Sequence, residues 1–124
     1  MIVRGTTPYH FFIIPIDPEK LSKVYITYMQ NNEIVIDKTT TDITIEPVEE
    51  ELENASMEEQ PEFVISSQIT LHLTQEDTLK FHFYPAAEKN IAVVQVRILT
   101  TDGEAYASDP VHERIFGVLK DGVI

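Results

Sequence analysis

The segment from Ile91 to Ala107 constrains this chain more than any other. Ala92, Val94, Val96 and Ile98 alternate with Gln95 and Arg97, then run into a Thr101-Asp102-Gly103 turn. Successive side chains of a strand point to opposite faces, so a period of two with one apolar set describes a half-buried β-hairpin. The same rhythm recurs along most of the chain, and no catalytic or ligand-binding pattern is laid over it.

The chain before this hairpin reads as further short strands. Thr6-Thr7-Pro8 opens a strand that runs to about Ile14, where Pro15 ends the run or places it at a sheet edge. It is apolar on both faces, which predicts cover on both sides. Asp17-Pro18-Glu19 supplies an N-cap, a first-turn proline and a first-turn acid, enough for one helical turn with Leu21 as its apolar contact. Val24–Gln30 and Glu33–Lys38 form a second hairpin about Asn31-Asn32, because asparagine tolerates the positive φ of a tight turn. There Ile34 and Ile36 are expected on one face, with Glu33 and Asp37 on the other; Ile43 and Ile45 mark another short strand.

From Gln68 the alternation resumes, with Ile69, Leu71 and Leu73 inward and Thr70 and His72 outward. Thr74-Gln75-Glu76-Asp77 resembles a capping box and opens a short helix that carries Leu79 into the core. Phe81 and Phe83 alternate with His82 and Tyr84 in a strand expected to stop at Pro85, and Val111 to Leu119 supplies the last strand. Seven or more short strands with regular turns predict an all-β fold: two packed antiparallel sheets in a β-sandwich, with one or two short helical turns. With 124 residues the expectation is one domain over 1–124, large enough to fold without staples.

Residues 46–62 break the pattern with eight acids, two prolines and little periodicity. They read as an acidic loop insertion, with a weak helix over Val48, Leu52 and Ala55 as the other reading. No calcium-loop pattern is present there. Nine basic against 21 acidic residues give a formal net charge of −12, which repels phosphate backbones and anionic lipid surfaces. No nucleic-acid or membrane partner is expected. No segment reaches the roughly 20 apolar residues that cross a bilayer, and Phe11-Phe12-Ile13-Ile14 is too short for a signal-peptide core, so a cytoplasmic product is expected.

The same residues argue against catalysis. The chain has no cysteine, which removes thiolate nucleophiles and cysteine-bound zinc. His10, His72, His82 and His112 fall on four separate expected strands with no short-spaced pair, so polar-face histidines explain them better than metal ligation. Glu49-Glu50-Glu51 and Glu58-Glu59 read as solvated charge rather than a desolvated acid–base pair. Glu76 and Asp77 are explained by a helix start. No nucleophile motif surrounds Ser22, Ser56, Ser66, Ser67 or Ser108, and Gly5, Gly103, Gly117 and Gly122 stand apart rather than forming a phosphate loop. The expectation is a non-enzyme without catalytic residues, metal or cofactor. Tyr9, Tyr25, Tyr28, Tyr84 and Tyr106 suit sheet packing, and a sugar-stacking surface is the alternative.

Four stretches carry a resemblance. Arg4-Gly5-Thr6-Thr7-Pro8, then 73–81, the hairpin at 96–103, and the ending Leu119-Lys120-Asp121-Gly122-Val123-Ile124 together resemble small prophage proteins of Gram-positive bacteria, encoded among tail and baseplate genes. The chain is also broadly similar to the N-terminal immunoglobulin-like domain of phage baseplate upper proteins. This resemblance implies a structural or accessory role through protein–protein contacts with other tail or baseplate proteins or with further copies of itself. It places the protein in the host cytoplasm during assembly and in the virion if it is incorporated. A host-surface carbohydrate-binding module is the alternative it leaves. Since unpaired sheet edges accept strands, Val111, Ile115 and Val118 on the last strand are the expected interface residues.

Overall fold

The computed structural model describes residues 1–51 and 63–124. Among them nine strands form two sheets, with few helical turns. In chain order these are β1 (Ile2–Val3), β2 (Tyr9–Ile14), β3 (Leu21–Gln30), β4 (Glu33–Lys38), β5 (Ile43–Glu51), β6 (Phe63–His72), β7 (Ile91–Thr100), β8 (Ala105–Ala107) and β9 (Val111–Phe116). One α-helical turn, α1 (Gln75–Leu79), precedes β7. The larger sheet runs β1-β9-β7-β3-β4, with β8 also on β7, and curls into a half-barrel. The smaller sheet runs β2-β6-β5. No helix among the described residues is long and apolar enough to cross a membrane.

The core lies between the sheets. Val24, Ile26 and Tyr28 of β3, Ile36 of β4, and Ala92, Val94, Val96 and Ile98 of β7 meet Ile69 and Leu71 of β6, with Leu73, Phe81, Ile2 and Ile115 closing the ends. Each fully buried aliphatic side chain contributes roughly 1.5–3 kcal/mol relative to exposure. Local signals set much of this frame. Asn31 and Asn32 adopt φ of 52° and 64°, the two positive values a tight hairpin needs. The Asp17 carboxylate accepts from the Glu19 N–H and caps a single 3₁₀ turn at Pro18–Lys20. The Thr74–Asp77 capping box is complete, and the Asp77 carboxylate also meets Lys38 Nζ at 3.1 Å.

The structure corrects several expectations. Ile34 does not share a face with Ile36: a bulge opposite Tyr28 and Met29 shifts the register, leaving Ile34 64% exposed while Ile36 is buried. Thr78, rather than Leu79, is the fully buried residue of α1, donating its hydroxyl to the Thr6 carbonyl. The acidic stretch is not wholly a loop, since Glu46–Glu51 continue β5 and pair with β6 back to Phe63. Val48 is therefore in a strand; Leu52 and Ala55, and the rest of 52–62, lie outside the described residues.

Phe81–Tyr84 is no strand. Its backbone is held by side chains that imitate a neighbouring strand: the buried Gln30 amide donates to the His82 carbonyl at 2.7 Å and accepts from the His82 N–H at 2.8 Å. Two residues on, buried Asn90 accepts from the Tyr84 N–H at 2.7 Å and donates to the Tyr84 carbonyl at 2.8 Å. Amide side chains satisfy the donors and acceptors that a ladder would otherwise use, so the alternation of phenylalanines here carries no sheet. Phe81 is core; Phe83 is half exposed.

Candidate functional site, an open sheet edge

β2 reads Tyr-His-Phe-Phe-Ile-Ile, a β-branched and aromatic run with no charge and no proline inside it. Among the described residues it pairs with β6 alone, in the register His10–Leu71, Phe12–Ile69 and Ile14–Ser67. The Leu73 N–H donates to the Pro8 carbonyl, which fixes the phase of the antiparallel ladder. Hydrogen-bonded pairs alternate, so His10, Phe12 and Ile14 spend their backbone groups on β6. Those of Tyr9, Phe11 and Ile13 point to the free side.

The same three residues carry side chains on the outer face, exposed by 58%, 61% and 62%. This overturns the expected cover on both sides of the strand. Apolar residues on both faces fit either a buried strand or one that awaits a neighbour, and β2 is the second kind. Tyr9 stacks on His72 of β6 at 3.9 Å between ring centroids, while Tyr9 and Phe11 lie 6.5 Å apart and near-parallel.

Beside the free edge the sandwich stands open. A hollow of about 410 Å³ is lined by Ile13, Ile14, Pro15 and Ile16 on one wall and by Val96, Ile98, Tyr106 and Ala107 on the other. A second, of about 250 Å³, flanks Tyr9–Phe12 and is walled by Val94, Val111 and Glu113. Together they trace β2 from end to end, with inward-facing β7 side chains as the floor.

The remaining edges among the described residues are defended. β5 carries Pro47 at mid-strand with exposed Glu46 and Glu49. β4 carries Glu33, Asp37 and Lys38 and the bulge described above. β1 and β8 have two and three residues. The half of β9 not covered by β1 holds His112, Glu113 and Arg114 directly after Pro110. Charges, prolines, bulges and brevity are the devices by which sheet edges avoid unwanted pairing. β2 has prolines only at its flanks, Pro8 and Pro15, and none of these devices within it.

One titratable group sits behind this edge. His10 Nδ1 shares a hydrogen bond with the Tyr28 hydroxyl in the core. Burial holds the His10 imidazole below its ordinary value, with Glu113 opposing the shift and the N-terminal amine adding to it. Burial also pushes the Tyr28 phenol far above its usual range, helped by Glu113 and Asp77. Glu113 itself pairs with the amine of Met1. Tyr28 stays a neutral hydroxyl, so the pair positions β2 rather than supplying a base.

The expected interface residues are dispersed. Val111 is half exposed and reaches the wall of the smaller hollow. Ile115 is only 2% exposed, buried in the core where β9 meets β1, so it offers no accessible surface. Val118 lies past the end of β9. The uncharged run at β2 was the available signal for the open edge. The histidines stay apart, and no group of three or more His, Asp or Glu among the described residues is placed to hold a metal ion.

Three of the stretches that carry the prophage resemblance meet at one corner. Arg4 donates to the carbonyls of Phe81 and Leu79 and pairs with Asp121, while Gly5 (φ 79°) packs so closely that a Cβ would fall 3.0 Å from the Gly122 carbonyl oxygen. Gln75 Oε1 accepts from the Ile124 N–H. These landmarks form a clamp that fastens the two ends of the chain to α1, a structural role shared between them. No protein-family model, no curated protein and no solved structure matches the chain.

Proposed function

We propose that this chain is a non-enzymatic structural or accessory protein of a phage tail or baseplate, built on an immunoglobulin-like sandwich, that works by accepting a strand from a neighbouring protein on its β2 edge. It acts in the host cytoplasm during assembly and enters the virion if its partner does. The observation that carries the contact is β2 itself: six uncharged residues with three unspent sets of backbone groups, an exposed apolar face and an apolar hollow alongside. The resemblance supplies the setting. Co-expression with the tail and baseplate proteins encoded beside it, followed by size-exclusion chromatography, tests the reading. A complex formed by the native chain and lost in Phe11→Lys supports it; a complex indifferent to Phe11→Lys moves the contact elsewhere, and no complex with any of them defeats it.

A second reading, a carbohydrate-binding module, draws on the near-parallel exposed rings of Tyr9 and Phe11. Glycan-array binding that vanishes in both Tyr9→Ala and Phe11→Ala, with no tail or baseplate protein captured by the native chain, would favour it over strand capture.

A further inference from the structure

Building on the proposal that β2 accepts a strand, we propose that its partner is an extended segment of about six apolar residues preceded by lysine or arginine, added antiparallel to β2. Three observations specify this ligand. Its length follows from β2, whose six residues span roughly 20 Å at the rise of a strand. Its apolar character on both faces follows from the two surfaces it would touch. One set of side chains would enter the hollow over Val94, Val96 and Ile98, and the other would continue the outer row of Tyr9, Phe11 and Ile13.

Its basic end follows from charge. At the Ile14 end of β2 the groove widens into a hollow of about 540 Å³ bordered by Asp17, Asp102 and Glu104, against a single Lys20. At the Tyr9 end the one bordering acid, Glu113, is already paired with the Met1 amine. A cation is therefore favoured at the Ile14 end, over the −12 background of the whole chain. Both pairings of the smaller sheet are antiparallel, and a strand that continues this pattern on β2 begins at the Ile14 end, so its basic residues come before its apolar run. The same background charge disfavours a second copy of this chain as the occupant.

The experiment uses the full chain, isotopically labelled, and three synthetic peptides titrated by NMR at low salt. One has Lys-Arg followed by six valines and isoleucines, one has the same residues with Lys-Arg at the end, and one begins with Glu-Glu. The first is expected to perturb the amides of Tyr9, Phe11 and Ile13 and to bind about tenfold tighter than the second, with the margin shrinking as salt rises. In the exposed double variant Asp102→Lys with Glu104→Lys the preference is expected to pass to the Glu-Glu peptide. Phe11→Lys is expected to abolish binding of all three, with its circular dichroism and melting unchanged.

Equal binding of all three peptides at β2 overturns the charge assignment and leaves strand capture standing. Preference for the peptide with Lys-Arg last overturns the antiparallel polarity. Failure of every peptide to perturb β2 overturns both this inference and the edge reading it rests on. A native chain that dimerises in sedimentation, with Phe11→Lys monomeric and peptides unable to compete, makes a second copy the occupant and overturns the basic ligand.

Discussion

The two edges of the smaller sheet share one central strand, β6, and otherwise have little in common. β5 presents Pro47 among glutamates; β2 presents Tyr9, Phe11 and Ile13 with no charge at all. Both lie over the same core and are extended by the same ladder rules, so the contrast comes from side chains alone. β5 is finished as an edge, because its proline lacks a donor and its acids repel an incoming chain. β2 is finished as an interior strand, yet among the described residues it has no neighbour on one side. A sheet edge left this way exposes the chain to aggregation unless a partner covers it.

The largest test of this contrast strikes what the edges share. Ile69→Ala empties a fully buried position of β6 and is expected to cost about 2–5 kcal/mol in urea denaturation, loosening β2 and β5 together. A loss confined to the amide protection of one edge would show that the sheet does not act as a unit. Within β2, adjacent residues are expected to separate cleanly. Phe12→Ala, half-buried against the core, is expected to lose about 2–3 kcal/mol, while Phe11→Lys stays within about 0.5 kcal/mol by the same measurement. Equal costs would mean that the outer face of β2 already has cover.

A smaller effect follows from His10. Its imidazole binds protons less readily in the folded state than at its ordinary value of 6.5, so between the lowered value and 6.5 the unfolded chain holds more protons. Stability is then greatest above pH 6.5 and falls as pH drops through that window. Denaturation midpoints at pH 7.5 and 5 are expected to differ less in His10→Gln than in the native chain, and an unchanged difference would remove His10 as the group that couples β2 to pH. The smallest change in stability is expected on the opposite edge. Glu46→Thr with Pro47→Val converts β5 toward the character of β2; its melting is expected to shift little while sedimentation reveals self-association. A variant that stays monomeric would show that proline and charge are not what protects β5.

What the sequence revealed was whatever is local. The Asn31-Asn32 turn, the Asp17 cap, the Thr74 box and the β7 alternation each depend on residues within a few positions, and each is where it was expected. Misreadings arose where distant partners decide. The Phe81–Tyr84 alternation looked like a strand because nothing nearby reveals that Gln30 and Asn90 occupy its hydrogen-bonding groups. Ile34 went to the wrong face because one bulged residue reverses a period of two. The acids of 46–51 suggested a loop, yet an edge strand welcomes charge on its exposed positions. Of the residues expected at an interface, Ile115 is buried because the C-terminal half of β9 is covered by β1, a strand of two residues too short to carry a pattern. β2 is legible as a run, and Pro15 allows it an edge position, but apolar composition does not say which of its faces lacks a neighbour.

β1 pairs in parallel with β9, joining Ile2 to Ile115 and Val3 to Phe116, and Arg4 reaches Asp121 at the same corner. This closure has a kinetic meaning. The first strand has no place in the larger sheet until more than a hundred residues have followed it out of the ribosome, and such distant contacts reward the chain late for the loops it must close. β2 and β6 are both made by residue 72, so their pairing does not have to wait for the C-terminus. The apolar edge of β2 is therefore made long before Ile115 exists to help bury Ile2, and such exposed apolar surface is what makes an incomplete chain prone to association. A strand laid on β2 at that stage would cover the edge and shield the growing chain at once.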